Sequence, residues 1–145
     1  MKTLIGLILV LILISGCSKD NPVSSSSSPG TLIYSHDGIV DSAVTFSEPY
    51  NFHNGVLTGF NTDSNAVYTY SFKYKCTETD TSATLQIWNR KVGYVYLKGF
   101  PPTNGYVDIA EESVSNTTFQ DLFYVIGVQK PNSKLVIKDL YIYKK

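Results

Sequence analysis

The chain is poor in the residues that usually carry chemistry: two histidines, two cysteines, one tryptophan and one methionine in 145 residues. His36 and His53 stand in no HExxH or HxH spacing, which argues against a zinc enzyme. A Gly-x-Ser-x-Gly elbow and a glycine-rich phosphate loop are both missing. Net charge is missing too, with 12 basic and 12 acidic residues. Beyond residue 30, ten Lys and Arg face eleven Asp and Glu, without the basic stripe that nucleic acid requires. No segment sustains a helical period, although residues 108–113 have room for one turn. The apolar run at residues 4–14 is shorter than the ~20 residues that cross a bilayer.

That run has another use. Lys2 supplies a positive start, the apolar stretch follows, and Ile14-Ser15-Gly16 makes a small-residue exit before Cys17, the pattern of a cleaved secretory signal. The exit resembles the lipobox of bacterial lipoproteins. The resemblance implies a signal peptide over residues 1–16, then a diacylglyceryl group on the Cys17 sulfur and acylation of the new N-terminus. Two or more chains matter, because one acyl chain binds a membrane only marginally. An ordinary signal peptide with an incidental cysteine is the alternative. Ser18-Lys19-Asp20 resembles the start of surface-export signals of Bacteroidetes-type lipoproteins, with Asn21 where a second acidic residue is usual. The expected place is the bacterial outer membrane, lipid-anchored, on its periplasmic or cell-surface side.

Residues 17–30 hold five consecutive serines and two prolines. Such a segment cannot bury apolar surface and is expected to be a flexible tether, with a reach of roughly 20 Å. Residues 31–145 then form one domain.

Within that domain the pattern is β. Residues 67–76 alternate strictly, with Tyr68, Tyr70, Phe72, Tyr74 and Cys76 on one face and Thr69, Ser71, Lys73 and Lys75 on the other. Further strands are expected at 83–88, 92–100, 106–110, 122–129 and 135–143, and less clearly at 32–34, 43–46 and 55–60. Turn signals at Asp37-Gly38, Asn54-Gly55, Asp63-Ser64-Asn65, Asn104-Gly105 and Pro131-Asn132-Ser133 separate them. Short strands at regular spacing predict an all-β, single antiparallel β-sandwich, jelly-roll-like. Cys76, on the aromatic face, is expected to be a small buried hydrophobe rather than a disulfide partner. His36-Asp37 reads as a turn, and Glu111-Glu112 point to opposite faces of a strand, so neither makes a catalytic pair.

Eleven Tyr, seven Phe and one Trp give the chain its aromatic character. On strand 83–88, Leu85 and Ile87 share one face while Thr84, Gln86 and Trp88 share the other. If an even-length loop follows, Val92, Tyr94 and Tyr96 join Leu85 and Ile87 on the core face, and Trp88 lies across from Gly93, Val95 and Leu97. Trp88 with Gln86, Asn89 and Arg90 is then a candidate sugar site, since pyranose C–H groups stack on rings while hydroxyls take polar neighbours. The alternative is that Trp88 closes the end of the core.

The closing stretches 118–127 and 135–143 resemble the last two strands of galactose-binding-like and carbohydrate-binding-module jelly rolls. That resemblance implies the jelly-roll fold, and the ring with its polar neighbours at Trp88 adds the expectation of glycan binding without catalysis. It also implies a possible structural Ca²⁺ held by Asp139, with Asp41, Asp37 or Glu48 as companions, an oxygen-only set suited to a hard cation. Equally, Asp139 can sit at a bulge that re-aims Leu140 and Ile142 toward the core. The expected function is a cell-envelope lipoprotein that binds a carbohydrate or glycan. The other expectation is a structural or assembly accessory docking on a larger envelope protein.

Overall fold

A computed structural model describes residues 29–89 and 93–145. The strand with strict alternation forms as expected: Tyr68, Tyr70, Phe72, Tyr74 and Cys76 are all buried. It becomes β3 (Ala66–Cys76) of an eight-strand set that also comprises β1 (Thr31–Val44), β2 (Asn51–Val56), β4 (Ala83–Asn89), β5 (Gly93–Phe100), β6 (Val107–Ser115), β7 (Phe123–Val128) and β8 (Lys134–Lys144). Two antiparallel four-stranded sheets result, a first in the order β1-β8-β3-β6 and a second in the order β2-β7-β4-β5. Every consecutive pair of strands changes sheet except the β4–β5 hairpin, the path of a jelly-roll sandwich.

The inner faces meet through rings. Tyr70 stacks on Tyr96 with centroids 4.5 Å apart, and Phe72 meets Tyr96 and Phe100 edge to face at 6.3 and 5.8 Å. Such offset and T-shaped pairs are favoured by the ring quadrupole and add to the burial of large apolar area. Leu85 and Ile87 of β4 and Ile126 of β7 fill the space between, as their parity requires. Cys76 is buried and unpaired in this core, and burial pushes its thiol up.

The two open edges are closed by polar contacts. At β5 and β6, Glu111 takes the Lys98 ammonium and accepts the Tyr96 hydroxyl at 3.1 Å. At β1 and β2, the His53 ring lies 3.2 Å from the Asp41 carboxylate, and Tyr124 is pushed up to about 12 by burial and by Asp41.

Several expectations about turns and strands are corrected. Asp37-Gly38 is not a turn but lies inside β1, where the pairing with β8 slips between His36 and Ile39. Asn54-Gly55 lies in mid β2, and Gly55 is needed because the Tyr124 ring occupies the place of a Cβ. Residues 108–113 are strand, within β6, rather than a helical turn. Thr31 pairs with Lys144, so the first strand begins where the last one ends.

Asp139 sits at a bulge, as one of the two sequence expectations had it. Pairing with β3 slips between Ser71 and Lys73, and Asp139 adopts a φ of 53°, a region Asp tolerates better than most residues. The slip lets Leu135 and Ile137 before it, and Leu140 and Ile142 after it, all face the core. Its Oδ1 accepts the Gly38 N–H at 2.9 Å, so the side chain supplies an acceptor where the ladder is interrupted.

Candidate functional site

Directly paired residues in antiparallel strands share a face. From Leu85 and Ile87 pointing inward, the outer face of the second sheet can therefore be read row by row. Thr84 pairs with Gly127, which pairs with Phe52; Gln86 lies beside Val125 and Leu97, and Val125 beside Asn54. Trp88 lies between Phe123 and Tyr94, with Val56 beyond Phe123. None of these side chains is charged. The face holds four aromatic rings, three short polar side chains and an aliphatic remainder.

The rings differ in how they are held. Trp88 is half-buried against Phe123, with centroids 4.9 Å apart. Its indole N–H is shielded and finds no acceptor among the described residues. Leaving a buried donor unpaired costs about 1–3 kcal/mol, a penalty a phenylalanine would not incur. Phe52 packs over Gly127 of β7, which leaves room where any Cβ would strike the ring. Phe52 and Tyr94 are 48% and 60% exposed, too open to be closing the core. Among the polar groups, Gln86 donates only a 3.5 Å contact to Thr84 Oγ1. Asn89 ties the end of β4 to the segment before β7 by donating to the Gln120 carbonyl at 2.6 Å. Arg90 lies outside the described residues, as does Cys17.

Tyr94 corrects the expected parity. It pairs with Trp88, while Ile87 pairs with Tyr96, so Val95 is an extra residue bulged out of the ladder. The loop is of odd length, since Asn89 pairs with Gly93 across three residues. Tyr94 therefore faces outward beside Trp88, whereas Tyr96 is buried and the bulged Val95, expected across from Trp88, packs against the core. Phe52 and Phe123 were missed in the sequence because only the strand order places them next to Trp88.

The two acidic residues proposed for calcium are engaged separately. Asp41 faces His53. Asp139 lies 3.4 Å from the Lys73 ammonium and 3.5 Å from that of Lys138. The Gly38 N–H, then Lys138 and Lys73, hold its carboxyl below the usual range. Among the described residues, no three His, Cys, Asp or Glu side chains gather as metal ligands would. His36 and Asp37 likewise form no dyad: Asp37 accepts the Tyr141 hydroxyl at 2.5 Å.

No protein-family model matches the chain, and no curated protein matches it. Solved structures do. The chain is similar to a structure described as "CBM4 structure and function", at 11% identity and a TM-score of 0.54, over 79% of this chain and 94% of that one. A Family 16 Carbohydrate Binding Module-2 is similar at 11% identity and a TM-score of 0.47, over 68% of this chain and 72% of the other. A carbohydrate binding module from Cellvibrio mixtus lichenase 5A, in complex with cellotriose, is similar at 10% identity and 0.41, over 74% and 99%. At such identities the likeness concerns the fold, and together with the strand order it identifies the domain as a jelly-roll sandwich of the architecture found in carbohydrate-binding modules.

Proposed function

We propose that this protein is a lipid-anchored envelope protein whose jelly-roll domain binds a neutral glycan, without catalysis, across the outer face of the second sheet. The observation that carries the proposal is the composition of that face. Rings at Trp88, Tyr94, Phe52 and Phe123 flank Gln86, Thr84 and Asn54, and among the described residues no charged side chain interrupts them. Sugar C–H groups stack on such rings and the amides and hydroxyl serve sugar hydroxyls, the apolar-with-few-polar balance of a ligand surface. The fold likeness to a carbohydrate-binding module supports the same reading.

The test is retention of the full-length protein on an array of neutral and acidic glycans. Retention by a neutral glycan, lost in Trp88→Ala, is the expected result. No retention, or equal retention by the variant, overturns it. The anchor is tested separately by fatty-acid labelling: Cys17→Ser is expected to take up no label and to leave the precursor uncleaved at that site.

A second reading has one observation in its favour. Val56 is 71% exposed at the margin of the same face, and an aliphatic side chain there suits a protein partner better than a sugar. Co-purification of a stoichiometric envelope protein, lost in Val56→Asp while glycan binding persists, would favour docking.

A further inference from the structure

The other outer face carries an independent feature. Of the eight lysines among the described residues, Lys73, Lys98, Lys130, Lys138, Lys144 and Lys145 each lie within ion-pair distance of an Asp or Glu carboxylate. Lys75 and Lys134 do not, and both line the same cavity of about 240 Å³ on the first sheet, with Thr77, Tyr106 and Val136. Such a cavity is smaller than the ~300–1,000 Å³ of sites for larger organic ligands, which limits an occupant to about one ring.

The lining is arranged for an amphipathic anion. Val136 pairs with Lys75 across the β3–β8 ladder and makes an apolar floor. Tyr106 is exposed beside it, steadied by the Lys138 ammonium 4.9 Å from its ring centroid. Thr77 Oγ1 accepts the Lys134 N–H at 2.9 Å, which leaves its hydroxyl proton to donate elsewhere. Two carboxylates of this face, Asp108 and Asp139, are already met by Lys73 and Lys138. Two lysines with no carboxylate within ion-pair distance among the described residues therefore border a space with an apolar floor, a ring and a hydroxyl.

We infer that this cavity is a second binding site, selective for a single acidic sugar ring, with Lys75 and Lys134 meeting its carboxylate and Tyr106 and Val136 its C–H face. The site does not depend on the glycan platform of the second sheet, which is uncharged among the described residues and faces the opposite way. Because both lysines are exposed, affinity weakens as salt is raised from low to physiological strength, where the screening length is about 8 Å.

The experiment is an amide-resolved NMR titration of the full-length protein with glucuronate, glucose and acetate. Glucuronate is expected to give saturable shifts at Lys75, Thr77, Tyr106, Lys134 and Val136, with much smaller effects from glucose or acetate. Exchanging both lysines, Lys75→Gln with Lys134→Gln, should weaken glucuronate about tenfold or more. Trp88→Ala should leave it unchanged, which separates failure here from failure of the platform. Equal shifts with glucose overturn the role of charge, equal shifts with acetate overturn the role of the ring, and no saturable shift overturns the site. An unchanged thermal unfolding curve for the double variant guards against a loss caused by misfolding.

Discussion

The two outer faces of the sandwich rest on ladders of the same kind and differ in nearly everything that sits on them. The first sheet presents Lys73, Lys75, Lys138, Asp108 and Glu112, mostly in ion pairs, while the second presents rings and amides with no charge among its described residues. Solvent alone explains the first, since hydrated charges cost a fold little. It does not explain the second, where exposed apolar area gains nothing by facing water. The inner faces, by contrast, are alike: apolar, ring-bearing and packed on each other. Aromatic content by itself therefore says little about use, and what distinguishes a packing ring from a presenting ring is whether another layer covers it.

Truncating one ring of each kind is the most direct way to break that distinction. Phe72→Ala, which removes a buried ring between Tyr96 and Phe100, is expected to cost about 3–5 kcal/mol in chemical denaturation. Trp88→Ala should cost less than about 3 kcal/mol, because the indole is partly exposed, while reducing glycan affinity by about tenfold or more, or about 1.4 kcal/mol. If the stability losses are equal, Trp88 is core and the contrast between the faces fails. Trp88→Phe sharpens the same point. It removes the unpaired indole N–H and is expected to leave stability unchanged or slightly raised, with binding weakened.

A smaller effect tests the charged face. The Asp139 carboxyl titrates below its ordinary value in the folded protein, so its contribution to stability is present above about pH 4 and is lost as pH falls through the lowered folded value. Asp139→Asn keeps a residue that tolerates positive φ. It should lower the melting temperature modestly near neutral pH, and the gap from the parent should close on acidification. A gap independent of pH would assign the effect to backbone geometry instead. The smallest signal concerns Cys76, whose buried thiol should resist alkylation at neutral pH until the protein is unfolded.

How much of this was legible in the sequence depended on uninterrupted alternation. β3 could be read because ten residues alternate without a break, and the inward parity of Leu85 and Ile87 placed Trp88 on the other face. Tyr94 was misplaced because one bulged residue, Val95, reverses the parity of all that precedes it, and a bulge leaves no compositional mark. β1 was read as fragments because Ser35, His36, Asp37 and Gly38 look like a turn, whereas β8 pairs along nearly its whole length and carries them as strand. The platform as a whole was hidden for a different reason. Phe52, Phe123 and Trp88 are far apart in sequence, and only the order β2-β7-β4-β5 makes them neighbours.

The pairing of Thr31 with Lys144 gives the domain a polarity along its strands. Trp88, Phe123 and Val56 lie toward the end where the chain arrives, next to the Leu57–Leu122 hydrogen bond that leads into the start of β3. Lys134 and Thr77 lie at the other end of β8, roughly 30 Å away at about 3.3 Å per residue. For a protein held through the residues before Thr31, a sugar stacked on Trp88 sits on the near side, close to whatever surface holds the tether. An acidic sugar at Lys75 and Lys134 is met on the far side, so the two proposed sites would hold their ligands at opposite ends of the domain rather than side by side.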